Sequence, residues 1–124
     1  MKKIIVLILS LLFLTGCGQK AEAYRQISQQ EAAELMKTQE NYIILDVRTP
    51  EEFADSHIAG AVNLPNEDIS RDNLSLLPDL NQMILVYCRS GNRSKQASQK
   101  LADLGYTQVL EFGGINTWTG EIVS

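Results

Sequence analysis

The amino-acid sequence predicts a single α/β domain in which helices flank a central, mostly parallel sheet. Two segments, 42–47 and 83–87, consist almost wholly of apolar residues, which is typical of parallel strands buried on both faces. Segments with helical spacing alternate with these strands along the chain. The length of 124 residues and the hydrophobic content of 44% agree with one domain built around one core.

Two capping boxes, in which a Ser or Thr is followed three residues later by Glu, begin helices in the first half of the domain. They predict one helix over 28–38 and a shorter one from Thr49 to about Ser56, with the strand 42–47 between them. Pro at the first helical position supports the second start. A short strand over 61–64 follows and is stopped by a proline.

The second half of the domain repeats the alternation of strand and helix. It is expected to begin with a loop that contains a short helix at 72–77, followed by the strand 83–87 and an amphipathic helix that ends at Gly105. The strand 108–111 comes next. A turn at 112–114 then leads into a short helix, in which Trp118 is expected to anchor the core.

The first seventeen residues have the pattern of an export signal. Met1-Lys2-Lys3 supplies a positive end, and the apolar run over 4–14 has 11 residues, whereas a membrane-spanning helix needs about twenty. The run ends in Leu14-Thr15-Gly16-Cys17, which resembles the lipobox of bacterial lipoproteins. In those proteins the Cys receives a diacylglycerol and the signal is cut just before it.

The resemblance to the lipobox implies a division of the chain into three parts. These are a signal peptide at 1–16, a lipidated Cys17 with a polar tether at 17–23, and a folded domain at 24–124. Acyl chains on Cys17 would hold the protein outside the cytoplasm on a bacterial membrane, at the cell surface or in a periplasm.

Composition excludes several classes of protein. The formal net charge is −4, which disfavours nucleic acid as a partner because phosphate binding relies on clustered Lys and Arg. Two Cys residues cannot form a disulfide framework, and a single His cannot anchor a His-rich metal site.

Cys88 is the strongest candidate for a catalytic residue. It stands where the strand 83–87 ends and a helix begins, at the edge of an α/β sheet where ligands bind. The helix N-terminus, Arg89 and Arg93 all favour the thiolate, and Gly91 allows backbone N–H groups to point inward as an anion nest. A reactive thiolate beside an anion-binding loop is therefore expected.

The stretch Cys88-Arg89-Ser90-Gly91-Asn92-Arg93-Ser94 resembles the active-site loop of the single-domain rhodaneses, the thiosulfate-type sulfurtransferases. Three other segments resemble signatures of that family in the same order and spacing, namely 45–48 with 51–53, then 57–65, then 112–114 with Trp118. The resemblance covers residues 24–124 and implies the rhodanese-like version of the α/β fold.

The same resemblance implies a function for the loop. Cys88 would take a sulfane sulfur from a donor such as thiosulfate, become a persulfide, and pass the sulfur to cyanide or a thiol. Arg89 and Arg93 would hold the anionic group of the donor. Ser90, Gly91 and Asn92 would complete the loop around the sulfur. The resemblance implies no metal and no organic cofactor.

Two other functions stay open. One is a rhodanese-fold module that carries or senses a persulfide, or docks a redox partner, with little turnover. The more distant one is a phosphatase or an arsenate reductase. Protein tyrosine phosphatases place five residues between Cys and Arg, whereas four separate Cys88 from Arg93, and Ser94 stands at the position of their Arg. The shorter loop is expected to fit one sulfur atom better than a phosphate.

Other polar residues of the motifs are expected to have structural roles. Asp46 stands at a strand end, where a carboxylate commonly fixes a loop or pairs with an Arg such as Arg48. His57 is the only imidazole, but a thiolate activated by its own loop needs no base. Glu52 is expected to cap its helix.

Overall fold

The computed structural model describes residues 24–124. The predicted signal peptide, Cys17 and the tether, at 1–23, lie outside the described residues. Within 24–124 the β-strands are β1 (Arg25–Gln26), β2 (Tyr42–Asp46), β3 (His57–Ile58), β4 (Val62–Asn63), β5 (Met83–Cys88), β6 (Gln108–Gly114) and β7 (Ile122–Val123). The α-helices are α1 (Gln29–Thr38), α2 (Pro50–Asp55) and α3 (Asn92–Asp103), and 3-10 turns occupy Asn66–Asp68 and Ile115–Thr117.

Five strands form a parallel sheet in the order β1-β6-β5-β2-β4, as the apolar runs predicted. The central strand β5 pairs with β2 along its length, so that Tyr42 lies opposite Met83 and Asp46 lies opposite Tyr87. The carboxyl ends of β2, β5 and β6 therefore meet at one edge of the sheet. That edge carries the loop that follows Cys88.

Local capping explains where the first two helices begin. The Ser28 hydroxyl accepts the Glu31 N–H at 2.9 Å and starts α1. At α2 the capping box is complete, since Thr49 Oγ1 accepts the Glu52 N–H and Glu52 Oε1 accepts the Thr49 N–H, both at 3.1 Å. Both helices begin where the sequence predicted.

Side chains of alternate residues along the strands lie on opposite faces of the sheet and form two apolar layers. One face packs against α3, and its buried residues include Leu45, Val47, Ile84, Val86, Cys88, Ala97 and Leu101. The other face packs against α1 and α2, and its buried residues include Ala32, Ile44, Leu85, Tyr87, Leu110 and Phe112. Trp118 packs against this second layer, with its ring centroid 5.4 Å from that of Phe112, in keeping with the expected core role. The sheet is thus covered by helices on both faces.

The short helix predicted at 72–77 is wrong. The segment consists of turns, and Leu77 is buried with its carbonyl accepting the Tyr106 hydroxyl at 2.5 Å. Tertiary contacts therefore hold this segment in an irregular path in place of a helical hydrogen-bond ladder. The helical turn of the region lies earlier, at Asn66–Asp68.

Two strand predictions near the C-terminus are also corrected. β6 continues to Gly114 where a turn was expected after Glu111, because the end of β6 pairs with β5 and Cys88 lies opposite Gly114. β6 is not the last strand, since β7 pairs antiparallel with β3. Among residues 24–124, no helix is both long enough and apolar enough to span a membrane.

Candidate active site

Cys88 ends β5 on the face covered by α3, and its side chain is 1% exposed. The Gly91 N–H donates to Cys88 Sγ at 3.0 Å. The loop after Cys88 thus turns back so that one backbone donor faces the sulfur. This hydrogen bond stabilises a thiolate more than a thiol, since the acceptor is then charged.

Two glycines shape the loop. Gly91 has a φ of 114°, a left-handed conformation that L side chains rarely adopt, and it forms the N-cap of α3. Gly114 on β6 lies beneath the loop, where a Cβ atom would come within 2.0 Å of the Arg89 carbonyl oxygen. The Asn116 N–H donates to that same oxygen at 3.2 Å. The end of β6 therefore supports the loop from below.

The two loop arginines differ in their surroundings. Arg89 is exposed, as are Ser90 and Asn92. Arg93 instead makes a two-point ion pair with Glu52 at the start of α2, with Nη1–Oε1 at 2.8 Å and Nη2–Oε2 at 3.2 Å. The hydrogen bond from Arg93 lowers the pKa of Glu52 to about 2, and the same bond raises the pKa of Arg93. Glu52 therefore caps its helix, as expected, and also holds Arg93.

A buried carboxylate lies on the inner side of the loop. Glu111 of β6 is 2% exposed, and its Oε2 accepts the Ser94 hydroxyl at 2.5 Å and the Gly113 N–H at 3.0 Å. Ser94 is fully buried, and its Oγ lies 3.4 Å from Cys88 Sγ. Glu111 was not predicted as a site residue, although an acidic residue inside the apolar run 109–112 was a signal for it.

Asp46 and Arg48 form the structural pair that the sequence suggested. Arg48 Nη2 lies 2.6 Å from Asp46 Oδ2, and both side chains are at most 5% exposed. The Tyr87 hydroxyl donates to the same Oδ2 at 2.6 Å and accepts the Ile58 N–H at 3.0 Å. Burial, together with the hydrogen bond to Asp46, raises the pKa of Tyr87. This network ties β2, β5 and β3 together beneath the site.

His57 makes its contacts with α2. Its Nδ1 lies 2.8 Å from the Phe53 carbonyl oxygen, and its ring stacks on the Phe53 ring at a centroid distance of 3.8 Å. The stacking and the hydrogen bond hold the turn between α2 and β3. Among residues 24–124, no three His, Cys, Asp or Glu side chains cluster as metal ligands would.

Comparison with known proteins identifies the family. The model of the rhodanese-like domain matches residues 28–121. The chain belongs to the rhodanese-like family. The model of the prokaryotic membrane lipoprotein lipid attachment site matches residues 1–17, so the N-terminus carries such a site.

Curated relatives carry names that describe an activity. The chain is 38% identical over 71 residues to thiosulfate sulfurtransferase PspE of Escherichia coli, which covers 57% of this chain and 68% of that protein. It is 35% identical over 96 residues to thiosulfate sulfurtransferase GlpE of Coxiella burnetii, covering 77% of this chain and 87% of that protein. These relatives support a sulfurtransferase role in general.

Solved structures have the same fold. A rhodanese with anions from E. coli has a TM-score of 0.62 and 34% identity, covering 67% of this chain and 98% of that one. A rhodanese-related protein from Thermoplasma volcanium has a TM-score of 0.68 and 33% identity, covering 81% of this chain and 98% of that one. The parallel sheet with helices on both faces is therefore a rhodanese fold.

Proposed function

We propose that this protein is a thiosulfate-type sulfurtransferase with Cys88 as the nucleophile. The Cys88 thiolate attacks the outer sulfur of thiosulfate, the S–S bond of the donor breaks, and its electron pair leaves on sulfite. A thiol or cyanide then attacks the outer sulfur of the Cys88 persulfide, and the electron pair of that bond returns to Cys88 as a thiolate. The reaction needs no further redox partner.

The observation that carries this proposal is the hydrogen bond from the Gly91 N–H to Cys88 Sγ at 3.0 Å, at the end of a central parallel strand. A backbone donor aimed at the sulfur stabilises negative charge where the reaction creates it. The names of the PspE and GlpE relatives support thiosulfate as one donor.

The loop arginines supply the anion-binding groups of the proposal. Arg89 is exposed at the mouth of the loop and is free to meet the sulfonate end of the donor. Arg93 is held by Glu52, and the hydrogen bond to Glu52 is the main reason why the pKa of its guanidinium is raised. Donor binding through Arg93 therefore requires that the donor compete with Glu52 for the guanidinium.

Loop length favours sulfur transfer over phosphoryl transfer. Four residues separate Cys88 from Arg93, and the next position, where protein tyrosine phosphatases have their Arg, is the buried Ser94. A phosphoryl group needs donors around three equatorial oxygens, whereas a persulfide needs them around one sulfur. In this proposal the nest serves one sulfur atom.

The place of the reaction follows from the N-terminus. The lipid attachment site that matches residues 1–17 supports acyl chains on Cys17, which lies outside the described residues. In the proposal these chains hold the catalytic domain on the outer side of a bacterial membrane.

The test is donor loading followed by turnover. The purified protein is incubated with thiosulfate, its intact mass is measured, and cyanide is then added while thiocyanate is followed. We expect a gain of one sulfur atom and catalytic thiocyanate formation, both absent from Cys88→Ser, whose hydroxyl forms no persulfide. Loading without turnover would instead favour a persulfide carrier or sensor, and the absence of both would favour a docking module.

A further inference from the structure

Glu111, Ser94 and Cys88 form a buried chain of three polar side chains that the sulfur-transfer mechanism does not require. Each is at most 2% exposed. Glu111 Oε2 lies 2.5 Å from Ser94 Oγ, and Ser94 Oγ lies 3.4 Å from Cys88 Sγ, within hydrogen-bond distance for sulfur. The chain links the reacting sulfur to a carboxylate on a neighbouring strand.

Ser94 has one hydroxyl proton, and this limits the states of the chain. When Glu111 is ionised, the Ser94 hydroxyl donates to it and accepts the Cys88 S–H. When Glu111 is protonated, it donates to Ser94, and the Ser94 hydroxyl then donates to the Cys88 thiolate. Each state pairs all three groups, and the two states differ by the movement of one proton at each link. The Gly91 carbonyl oxygen, 3.0 Å from Ser94 Oγ, is a competing acceptor for the Ser94 proton.

A backbone donor stands at each end of the chain. The Gly91 N–H donates to Cys88 Sγ and the Gly113 N–H donates to Glu111 Oε2, both at 3.0 Å. A single negative charge is therefore stabilised in a similar way at either end. Two charges at once would repel each other across one hydroxyl in a buried site.

Within residues 24–124, the charged groups of the surrounding elements form no ion pair with Glu111. Among the described residues, Arg93 pairs with Glu52 and Arg25 of β1 pairs with Glu31. Arg89 is exposed, and Lys95 lines the same shallow groove as Glu111 but is also exposed. Within residues 24–124, the hydrogen-bond partners of the carboxylate are thus Ser94 and Gly113.

We propose that Glu111 is a positioning residue that exchanges a proton with the Cys88 thiol through Ser94, so that the three groups share one negative charge. The Cys88 proton passes to Ser94 Oγ while the Ser94 proton passes to Glu111 Oε2, which leaves a thiolate and a neutral carboxyl group. The proposal rests on the proposed function only in taking Cys88 as the nucleophile.

Shared charge has a signature in the pH dependence of thiol reactivity. Two groups that share one proton titrate as a pair in two steps. Loss of the first proton creates the shared charge and therefore a fraction of thiolate. Loss of the second proton ionises both groups against their mutual repulsion. The rate of Cys88 alkylation is therefore expected to rise to a plateau and to rise again at higher pH.

The experiment measures the rate at which iodoacetamide alkylates Cys88 in the purified full-length protein across pH, followed at the peptide that contains Cys88. We expect two steps in the wild type and one step in both Glu111→Gln and Ser94→Ala. Ser94→Ala keeps the repelling carboxylate, so its single step should lie at higher pH than that of Glu111→Gln. On the plateau, Ser94→Ala should react about tenfold more slowly than the wild type.

Matched controls separate this effect from a general loss of packing. Ser98 is also fully buried on α3, one turn beyond Ser94, and its Oγ has no hydrogen-bond partner. Ser98→Ala, and Glu51→Gln on the exposed side of α2, should keep the two-step profile. If Glu111→Gln fails to fold, as thermal unfolding would show, the comparison of Ser94→Ala with Ser98→Ala decides alone.

A one-step profile in the wild type, or a two-step profile that survives in Ser94→Ala, would overturn the proposal and make Glu111 a structural acceptor. The assay uses no sulfur donor, so its outcome is independent of the proposed function. A two-step profile in a protein that takes up no sulfur would support the shared charge while contradicting sulfur transfer.

Discussion

The ion pair between Arg93 and Glu52 places a competing anion on the guanidinium proposed to bind the donor. Replacing Glu52 by Gln tests this competition with little damage to the helix, since Gln at the third position still accepts the Thr49 N–H of the capping box. The substitution removes one negative charge and leaves Arg93 free. We therefore expect Glu52→Gln to bind thiosulfate more tightly and to be less stable.

The structure gives the size of the expected gain in thiosulfate affinity. The fall of the Glu52 pKa from 4.5 to about 2 corresponds to about 3 kcal/mol in favour of the ionised form. The side chains of Arg93 and Glu52 are 32% and 26% exposed, so solvent screening reduces the net contribution to about 1–2 kcal/mol. Thiosulfate that must displace Glu52 from Arg93 loses this free energy, which weakens its affinity by about 5–30-fold.

The assay compares the thiosulfate Kd in the inert Cys88→Ser background and the KM in cyanide turnover. Both should fall about 5–30-fold in Glu52→Gln and stay unchanged in Glu51→Gln, its exposed neighbour. A persulfide donor without a sulfonate group should show a smaller change. If Glu52→Gln and Glu51→Gln bind thiosulfate equally, the donor does not compete for Arg93 and the reasoning is refuted.

The pH dependence of stability follows from the same pKa. A carboxyl group whose pKa is depressed on folding stabilises the protein above its unfolded pKa, near 4.5, and this contribution is lost as pH falls toward the folded value of about 2. Denaturant unfolding should therefore show Glu52→Gln about 1–2 kcal/mol less stable at pH 7. The difference should shrink below pH 4.5.

Four further outcomes are expected. Arg93→Ala should raise the thiosulfate KM and lower stability by about the same 1–2 kcal/mol as Glu52→Gln, because both break one ion pair, whereas that loss with an unchanged KM would make Arg93 structural. Tyr87→Phe removes a buried hydroxyl that both donates and accepts, so denaturant unfolding should show a loss of about 1.5–3 kcal/mol. Gly114→Ala should displace the loop and slow Cys88 alkylation, because its Cβ would meet the Arg89 carbonyl oxygen; an unchanged rate would contradict the close approach. Cys17→Ala should leave an unprocessed precursor that takes up no labelled fatty acid in cells, and a wild type without label would contradict lipidation.

Local signals account for the elements that the sequence predicted. The N-cap at Ser28 and the capping box at Thr49 depend on neighbours three positions away, so they can be recognised without the fold. The apolar runs of β2 and β5 are also local patterns, so they predict the parallel sheet without knowledge of the fold. The hydrogen bond from Gly91 to Cys88 is also local, because donor and acceptor are three positions apart in the sequence.

The parts that sequence reasoning missed depend on distant neighbours. Glu111 meets Ser94 only because β6 lies beside β5 in the sheet and α3 covers both. Glu52 and Arg93 are 41 positions apart and meet because the start of α2 lies beside the loop. The two-residue strands β3 and β7 are too short to show a periodicity, and each is defined only by its pairing with a segment far away in the sequence.

Sulfur uptake by Cys88 is the most direct test of the central claim. The measurement is the intact mass of the purified protein after incubation with thiosulfate, with the modified peptide located by fragmentation and with aryl phosphate hydrolysis assayed on the same sample. We expect one added sulfur atom on Cys88, its removal by cyanide, no uptake in Cys88→Ser, and no phosphate hydrolysis. Hydrolysis of aryl phosphate that depends on Cys88, with no sulfur taken up from thiosulfate, would contradict the account.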